Sequence, residues 1–317
     1  MKKKLIASVI SVLTVMTGFT GCAAKVNQDT MGEGKIKVVA TLFPQYDFAK
    51  EIGGEKASVT MLMAPGVESH TYDPSPADII KIDSADLFIY TGENMESWSH
   101  TIIDGIDTKK EKVLDVSKGI ELKKSGEHED EEHEEKEENH EHTYDPHIWT
   151  SPMNAVKMVD NILTSFIAID PDNSDYYTAN AETYKEKLAD LDSGFREVMA
   201  GAQRNKIVVA DRFAMLYFAD EYGINWEAAI DSCAEDAEPS VKVKAKLIDD
   251  IKNEKIPVIY CAELSNRKVA DSIAEETGAE VRELHSCHTV SKHDFDNGVT
   301  YLDLMNRNLE NLKAGVN

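Results

Sequence analysis

Short apolar runs alternate with amphipathic segments along most of the chain. The first three runs, at residues 36–43, 57–63 and 85–92, are rich in Val, Ile, Phe and Met, as buried β-strands are. The segments 46–54 and 76–83 lie between them and have the apolar spacing of helices. Strands that alternate with helices predict a largely parallel sheet covered by helices.

The same alternation returns after residue 203. The predicted strands of this second region end, in chain order, at Ala210, Ile230, Tyr260 and Leu284. Between the two regions, residues 152–202 have helical periodicity almost throughout, as a connector between lobes would. The prediction is therefore an α/β protein: an N-terminal lobe over residues 35–151, a connector over 152–202 and a C-terminal lobe over 203–317.

The first residues do not belong to either lobe. Lys2, Lys3 and Lys4 precede an apolar run over residues 5–21 that ends in FTG, and Cys22 follows at once. This order predicts a secretory signal peptide over residues 1–21. The FTGC ending resembles a bacterial lipobox, which would make Cys22 an acylated N-terminus and residues 22–34 a lipid-anchored tether outside the cytoplasm. The alternative is an ordinary signal peptide that is cut near the same place and releases the protein.

The net charge of the chain limits the kinds of molecule that the protein can bind. The formal net charge is −24, with 58 acidic against 34 basic residues, so the protein should repel nucleic acid and attract cations. Residues 122–142 interrupt the pattern of strands and helices and form an insert. Its segment 127–142 is so acidic that we expect the insert to be disordered. Its four histidines would capture cations weakly; they are His128, His133, His140 and His142.

Potential metal ligands follow the predicted strands of the second lobe. Ligands bind beyond the carboxyl ends of parallel strands. The residues at or just past the four ends are Asp211, Cys233, Cys261 and His285. This placement predicts that the C-terminal lobe lines a metal site.

Four segments resemble the zinc- and manganese-binding lipoproteins of bacterial ABC importers. They are PGVESHTYDPSPADI, SADLFIYTGENMESW, DPHIWTSPMNA and ETGAEVREL. The resemblance implies two α/β lobes joined by a long helix, with the metal in the cleft between them. It also implies that His70 and His147 bind the metal, and Asp145 or a carbonyl is expected to orient His147.

The other two family ligands differ in this chain. The family's histidine or glutamate five residues before a Tyr-Phe pair corresponds to Arg212, which cannot ligate a metal. Asp211, Cys233 or a water could take its place, and Arg212 would pair with Asp220 or another carboxylate. Where the family has an aspartate after a strand ending in Leu, this chain has His285, with His288 as the alternative ligand.

The three cysteines beyond residue 22 are given other roles. An odd number outside the cytoplasm predicts at most one disulfide. Cys233 and Cys287 both lie in loops at the same strand ends, which favours a disulfide between them over metal ligation. Cys261 is expected to be a small buried residue at a strand end.

Imidazole ligands favour zinc over manganese, although copper, nickel or cobalt would fit similar donors. The sequence thus predicts a monomeric, lipid-tethered solute-binding protein that delivers zinc to the permease of an ABC transporter. The alternatives are a manganese-binding importer protein, a surface adhesin and a metal-dependent hydrolase. The chain has no HExxH or GxSxG motif, so it is not expected to be an enzyme.

Overall fold

The computed structural model describes residues 34–105, 113–125, 144–230 and 239–317, which all belong to one compact unit. The predicted signal peptide, Cys22 and most of the tether lie outside these residues. So do Cys233 and the four histidines of the acidic insert.

The first sheet has four parallel strands in the order β2-β1-β3-β4. The strands are β1 (Ile36–Ala40), β2 (Ala57–Met61), β3 (Leu87–Tyr90) and β4 (Val113–Asp115). The helices that accompany them are α1 (Phe43–Gly53), α2 (Pro76–Asp83) and α3 (Ser99–Gly105). The Ser75 hydroxyl caps α2 by accepting from the Asp78 N–H, which fixes where the chain leaves the loop that carries His70.

A connector of two packed helices follows. Helix α4 (Pro152–Ile169) and helix α5 (Ser174–Ala200) are separated by a short turn at Pro171–Asn173. Pro171 starts the turn because it lacks the N–H that a continuing helix would need. The apolar face of α5 is buried at Tyr177, Ala181, Tyr184, Leu188, Leu191 and Phe195. This spacing of three and four residues matches the predicted periodicity.

The second sheet repeats the architecture in the order β6-β5-β7-β8, again with all strands parallel. Its strands are β5 (Lys206–Arg212), β6 (Asn225–Ile230), β7 (Val258–Cys261) and β8 (Glu280–Glu283). Its helices are α6 (Leu216–Tyr222), α7 (Val241–Glu254), α8 (Lys268–Thr277), α9 (Lys292–Asp296) and α10 (Tyr301–Val316). The predicted α/β architecture with two parallel sheets is confirmed. Among the described helices, none is long and apolar enough to cross a bilayer.

A buried carboxylate joins the carboxyl ends of β1 and β3. Glu96 is fully buried, and it accepts hydrogen bonds from the Thr41 hydroxyl and from the Thr91 N–H at 3.0 Å. Burial raises the pKa of Glu96 to about 7. Asp47 of α1 is also buried, and burial raises its pKa to about 7 as well.

These carboxyls make stability depend on pH. A carboxyl whose pKa is higher in the folded than in the unfolded chain gives its full stabilisation below its ordinary pKa of 4.5 and loses it as the pH rises towards 7. Glu96→Gln cannot ionise. The fall in unfolding free energy between pH 5 and pH 8 should therefore be smaller in this variant, by up to about 3 kcal/mol. Urea unfolding of the metal-free protein at both pH values measures the difference.

Glu55→Gln is the matched control, because Glu55 is exposed. It should keep the full pH dependence. If the unfolding free energy of Glu96→Gln falls between pH 5 and pH 8 by as much as that of the wild type, Glu96 is ionised in the folded protein like a surface residue.

Candidate metal site

Three buried aromatic residues fix the segment around His147. The Trp149 indole N–H donates to the Ser286 carbonyl at 2.7 Å, which joins this segment to the loop after β8. The Tyr217 hydroxyl donates to the Asp145 carbonyl at 2.7 Å, and the Tyr301 hydroxyl donates to the Trp149 carbonyl at 2.6 Å. The segment between the two sheets is therefore held by hydrogen bonds with the C-terminal half of the chain.

His147 is oriented by a neighbouring carboxylate. It is 1% exposed, and Asp145 Oδ1 accepts its backbone N–H at 2.8 Å and lies 3.1 Å from its Nδ1. Asp145 thus occupies the orienting position expected from the sequence. A carboxylate on one ring nitrogen fixes the imidazole and leaves Nε2 for a ligand.

His70 lies in the loop between β2 and α2. Its backbone N–H donates to Glu68 Oε1 at 3.2 Å, and its ring centroid is 5.4 Å from that of His147. Burial, and then the charge of His147, lowers the pKa of His70 to about 4. His70 is consequently neutral at physiological pH, as a metal ligand must be.

The turn after β8 decides which histidine faces His147. Cys287 has a φ of 64°, a left-handed conformation in the middle of the segment between His285 and His288. The His288 ring lies 6.4 Å from the His147 ring, and its Nδ1 is 2.9 Å from Glu263 Oε1. Glu263 therefore orients His288 as Asp145 orients His147.

The same turn directs His285 into the protein interior. Its Nδ1 accepts the Cys287 N–H at 2.9 Å, and its backbone exchanges two hydrogen bonds of 2.8 Å with Asn308. His285 is 3% exposed and is not among the residues that line the cavity beside His147. The structure thus places His288, which the sequence suggested only as the alternative, where His285 was expected.

These side chains surround a cavity at the carboxyl ends of the strands. It has about 60 Å³ of space open to water, enough for an ion and a few waters. The polar or charged side chains on its wall are Glu68, His70, His147, Arg212, Glu263, Ser286 and His288. A larger cavity of about 250 Å³ shares Glu68, Arg212, Glu263 and His288 with it.

Arg212 pairs with a carboxylate of the other half of the chain. Its Nη2 donates to Glu68 Oε2 at 3.0 Å, whereas Asp220 pairs with Lys123 Nζ at 2.6 Å. The sequence analysis proposed that Arg212 pairs with Asp220 or with another carboxylate. The structure shows a pair with Glu68 and not with Asp220. Asp211 accepts the Ala262 N–H at 2.9 Å and lines only the larger cavity. It does not join the histidines.

Both described cysteines are free and buried. Cys287 is a free thiol in the structure, with its Sγ 3.6 Å from the His285 carbonyl, whereas Cys233, its predicted disulfide partner, lies outside the described residues. Burial raises the pKa of Cys287 well above its ordinary value and that of Cys261 to about 11. Neither thiol has the thiolate form that binds metal at neutral pH.

The histidines are close together but do not yet form a closed site. Over the described ranges, no three His, Cys, Asp or Glu side chains are near enough to hold one ion in the observed conformation. Zinc–nitrogen bonds measure about 2.0–2.1 Å, so the rings must rotate or approach one another to bind it. Sequence reasoning missed Glu263, although it follows β7 and the rule on strand ends would have found it.

The lowered pKa of His70 can be measured directly. In metal-free protein, the ring resonances of His70 should titrate near pH 4 in an NMR experiment, because burial disfavours the imidazolium. The resonances that are missing from the spectrum of His70→Asn give the assignment. A His70 midpoint near 6.5, the ordinary value of a histidine side chain, would contradict the buried setting described for this ring.

Comparisons with known proteins identify the family of this chain. Residues 38–315 match the family described as zinc-uptake complex component A, periplasmic. The high-affinity zinc uptake system protein ZnuA of Bacillus subtilis is 38% identical over 291 residues, which are 92% of this chain and 90% of that protein. The zinc-binding lipoprotein AdcA of Streptococcus pneumoniae is 36% identical over 281 residues, 89% of this chain, but the match spans only 56% of that relative's length.

A solved structure also shares the fold. The Zn(II)-bound ZnuA-like domain of Streptococcus pneumoniae AdcA has a TM-score of 0.75 and 33% identity, over 89% of this chain and 99% of that domain. The family match extends from β1 to α10 and so includes both sheets and the connector. The chain belongs to the family of periplasmic zinc-uptake complex component A proteins.

Proposed function

We propose that this protein captures zinc outside the cytoplasm and passes it to the membrane permease of an ABC importer. The observation that carries the proposal is the arrangement of His70, His147 and His288 around one cavity between two parallel sheets. The names of the relatives, a zinc uptake protein and a zinc-binding lipoprotein, support the choice of cargo.

Three imidazoles suit zinc better than manganese. Manganese prefers carboxylate and water oxygens, whereas zinc binds imidazole in tetrahedral sites. The carboxylates Asp145 and Glu263 contact the Nδ1 atoms of two of these histidines. They therefore orient the imidazoles so that the second ring nitrogen can bind the ion.

Loading and release would use movement between chain segments. His70 belongs to the loop between β2 and α2 of the first sheet, whereas His147 and His288 lie in segments that the Trp149–Ser286 hydrogen bond joins. Bringing the three nitrogens to one ion draws these segments together. A permease that separates them again would weaken zinc binding and release the ion.

The parts of the chain outside the described residues would serve this function. Acylation of Cys22 would hold a monomer at the membrane beside its permease. His128, His133, His140 and His142 of the acidic insert would collect zinc weakly at high local concentration near the cavity.

Alanine variants test the ligand set. His70→Ala, His147→Ala and His288→Ala should each weaken zinc binding by about 10- to 100-fold or more, because each removes one nitrogen donor. Competition against a chromophoric chelator measures the affinity, with manganese as the second metal. Zinc should be preferred in the wild type.

His285→Ala and His293→Ala are the controls. His285→Ala removes a buried side chain, so its thermal unfolding is followed as well, but its zinc affinity should stay near that of the wild type. Loss of binding in folded His285→Ala, with wild-type affinity in His288→Ala, would reverse the assignment of the two histidines.

Deletion of residues 127–142 tests whether the acidic insert contributes to the primary zinc site. Calorimetry should show fewer weakly bound ions and an unchanged tightest site, because none of the three proposed ligands lies in the deleted segment. If the tightest site disappears with the deletion, the insert supplies a primary ligand.

A further inference from the structure

The loop between β2 and α2 carries His70 across to the second sheet. We call its residues 64–70 the strap. The tip of the strap is a turn in which the Val67 N–H donates to the Ala64 carbonyl at 3.1 Å. Gly66 within this turn has a φ of 80°, as the third residue of a type II turn requires. The strap therefore has a defined conformation of its own.

Two polar contacts join the strap to the second half of the chain. The Gly66 N–H donates to the Thr289 hydroxyl at 3.1 Å, and Thr289 directly follows His288. Glu68 Oε2 accepts from Arg212 Nη2 at 3.0 Å, and Arg212 is the last residue of β5. Both contacts thus reach segments that border the candidate site.

Glu68 connects the ion pair to a proposed zinc ligand. Its Oε1 accepts the His70 N–H at 3.2 Å, while its Oε2 binds the Arg212 guanidinium. Glu68 and Arg212 line both cavities, so their ion pair lies where the two cavities meet. One carboxylate therefore fixes the backbone of His70 and the distance of the strap from β5.

His70 is attached less firmly than the other two proposed ligands. The segments of His147 and His288 are joined by the buried hydrogen bond between Trp149 and Ser286. The strap is held to the second half of the chain at its tip and by the ion pair. Displacement of the strap would remove one imidazole from the site and leave the other two together.

The ion pair is suited to break and form again. The side chains of Arg212 and Glu68 are 32% and 29% exposed, so water can solvate both charges when they separate. The Trp149 indole and the Ser286 carbonyl are buried and would be left without partners. When the site opens, the strap is therefore the part that moves at the lower free-energy cost.

We propose that the Glu68–Arg212 ion pair is a latch that holds the strap closed over bound zinc. This inference rests on the proposed zinc binding by His70, His147 and His288. It makes Glu68 and Arg212 positioning residues, which act on the ion through His70. When the latch breaks, the strap moves away with His70, and the zinc loses one of its three imidazoles.

A latch adds to zinc affinity only if it is stronger in the loaded protein than in the unloaded protein. Single substitutions do not isolate this difference. Loss of the Arg212 charge also removes repulsion of the dication, and Arg212 has a further interaction besides the pair with Glu68. Both effects are present in either Glu68 background, so they cancel in a double-mutant cycle on zinc affinity.

The test compares the full-length wild type with Arg212→Leu, Glu68→Gln and the double variant, by competition for zinc against a chromophoric chelator. Glu68→Gln should weaken zinc binding by about 3- to 10-fold more in the wild-type background than in Arg212→Leu. Because the pair is partly exposed, this excess should shrink when the salt concentration is raised from about 0.1 M to about 1 M.

The control is a second cycle on an ion pair of the connector. Lys185 Nζ of α5 lies 2.8 Å from Asp160 Oδ1 of α4. Lys185→Leu and Asp160→Asn should have additive effects on zinc affinity, because this pair does not contact the strap. Thermal unfolding verifies that every variant folds, and Arg212→Gln replaces Arg212→Leu in the cycle if the latter does not.

Additive effects of the Glu68 and Arg212 substitutions in folded protein would overturn the proposal, because the pair would then be equally strong with and without zinc. A larger effect of Glu68→Gln in the Arg212 variant than in the wild type would overturn it as well. Failure of the proposed function differs from both outcomes, since the wild type itself would then not bind zinc tightly.

Discussion

The hydrogen bond from the Trp149 indole to the Ser286 carbonyl is the contact on which the site depends. Both groups are buried, and breaking the bond would leave a donor and an acceptor without partners, at a cost of about 1–3 kcal/mol for each. It joins the segment of His147 to the turn of His288. Because Tyr217 and Tyr301 hold the same segment from the other side, the two imidazoles are positioned by the core rather than by flexible loops.

The turn at Cys287 adds a second constraint. A left-handed residue that is not glycine is sparsely populated, and here it is retained by full burial of the side chain and by the hydrogen bond from its N–H to His285. The turn gives two histidines three residues apart opposite roles. His285 stabilises the loop from inside, and His288 faces the cavity, where Glu263 orients it.

Much of this architecture could be predicted from the sequence. Seven of the eight strands and the connector follow from apolar periodicity, whereas β4 is only three residues long and too short to give a pattern. His70 and His147 stood out because they lie in distinctive motifs. The choice between His285 and His288 depended on the backbone path after β8 and on the contacts with Asn308 and Glu263, which composition and spacing do not encode.

Long-range pairings were the least predictable features. Glu68 and Arg212 are 144 residues apart, and only the folded chain shows that they meet between the two cavities. Sequence patterns therefore predict the strands, the helices and the sheet edge at which the site lies. Tertiary packing determines which side chains face the cavity.

A crystal structure of the zinc-loaded protein, with anomalous scattering recorded at the zinc edge, tests the proposed ligand set most directly. This ligand set predicts one strong peak at about 2.0–2.1 Å from a ring nitrogen of each of His70, His147 and His288. A peak coordinated by His285, or one outside the cavity between the two sheets, would contradict it.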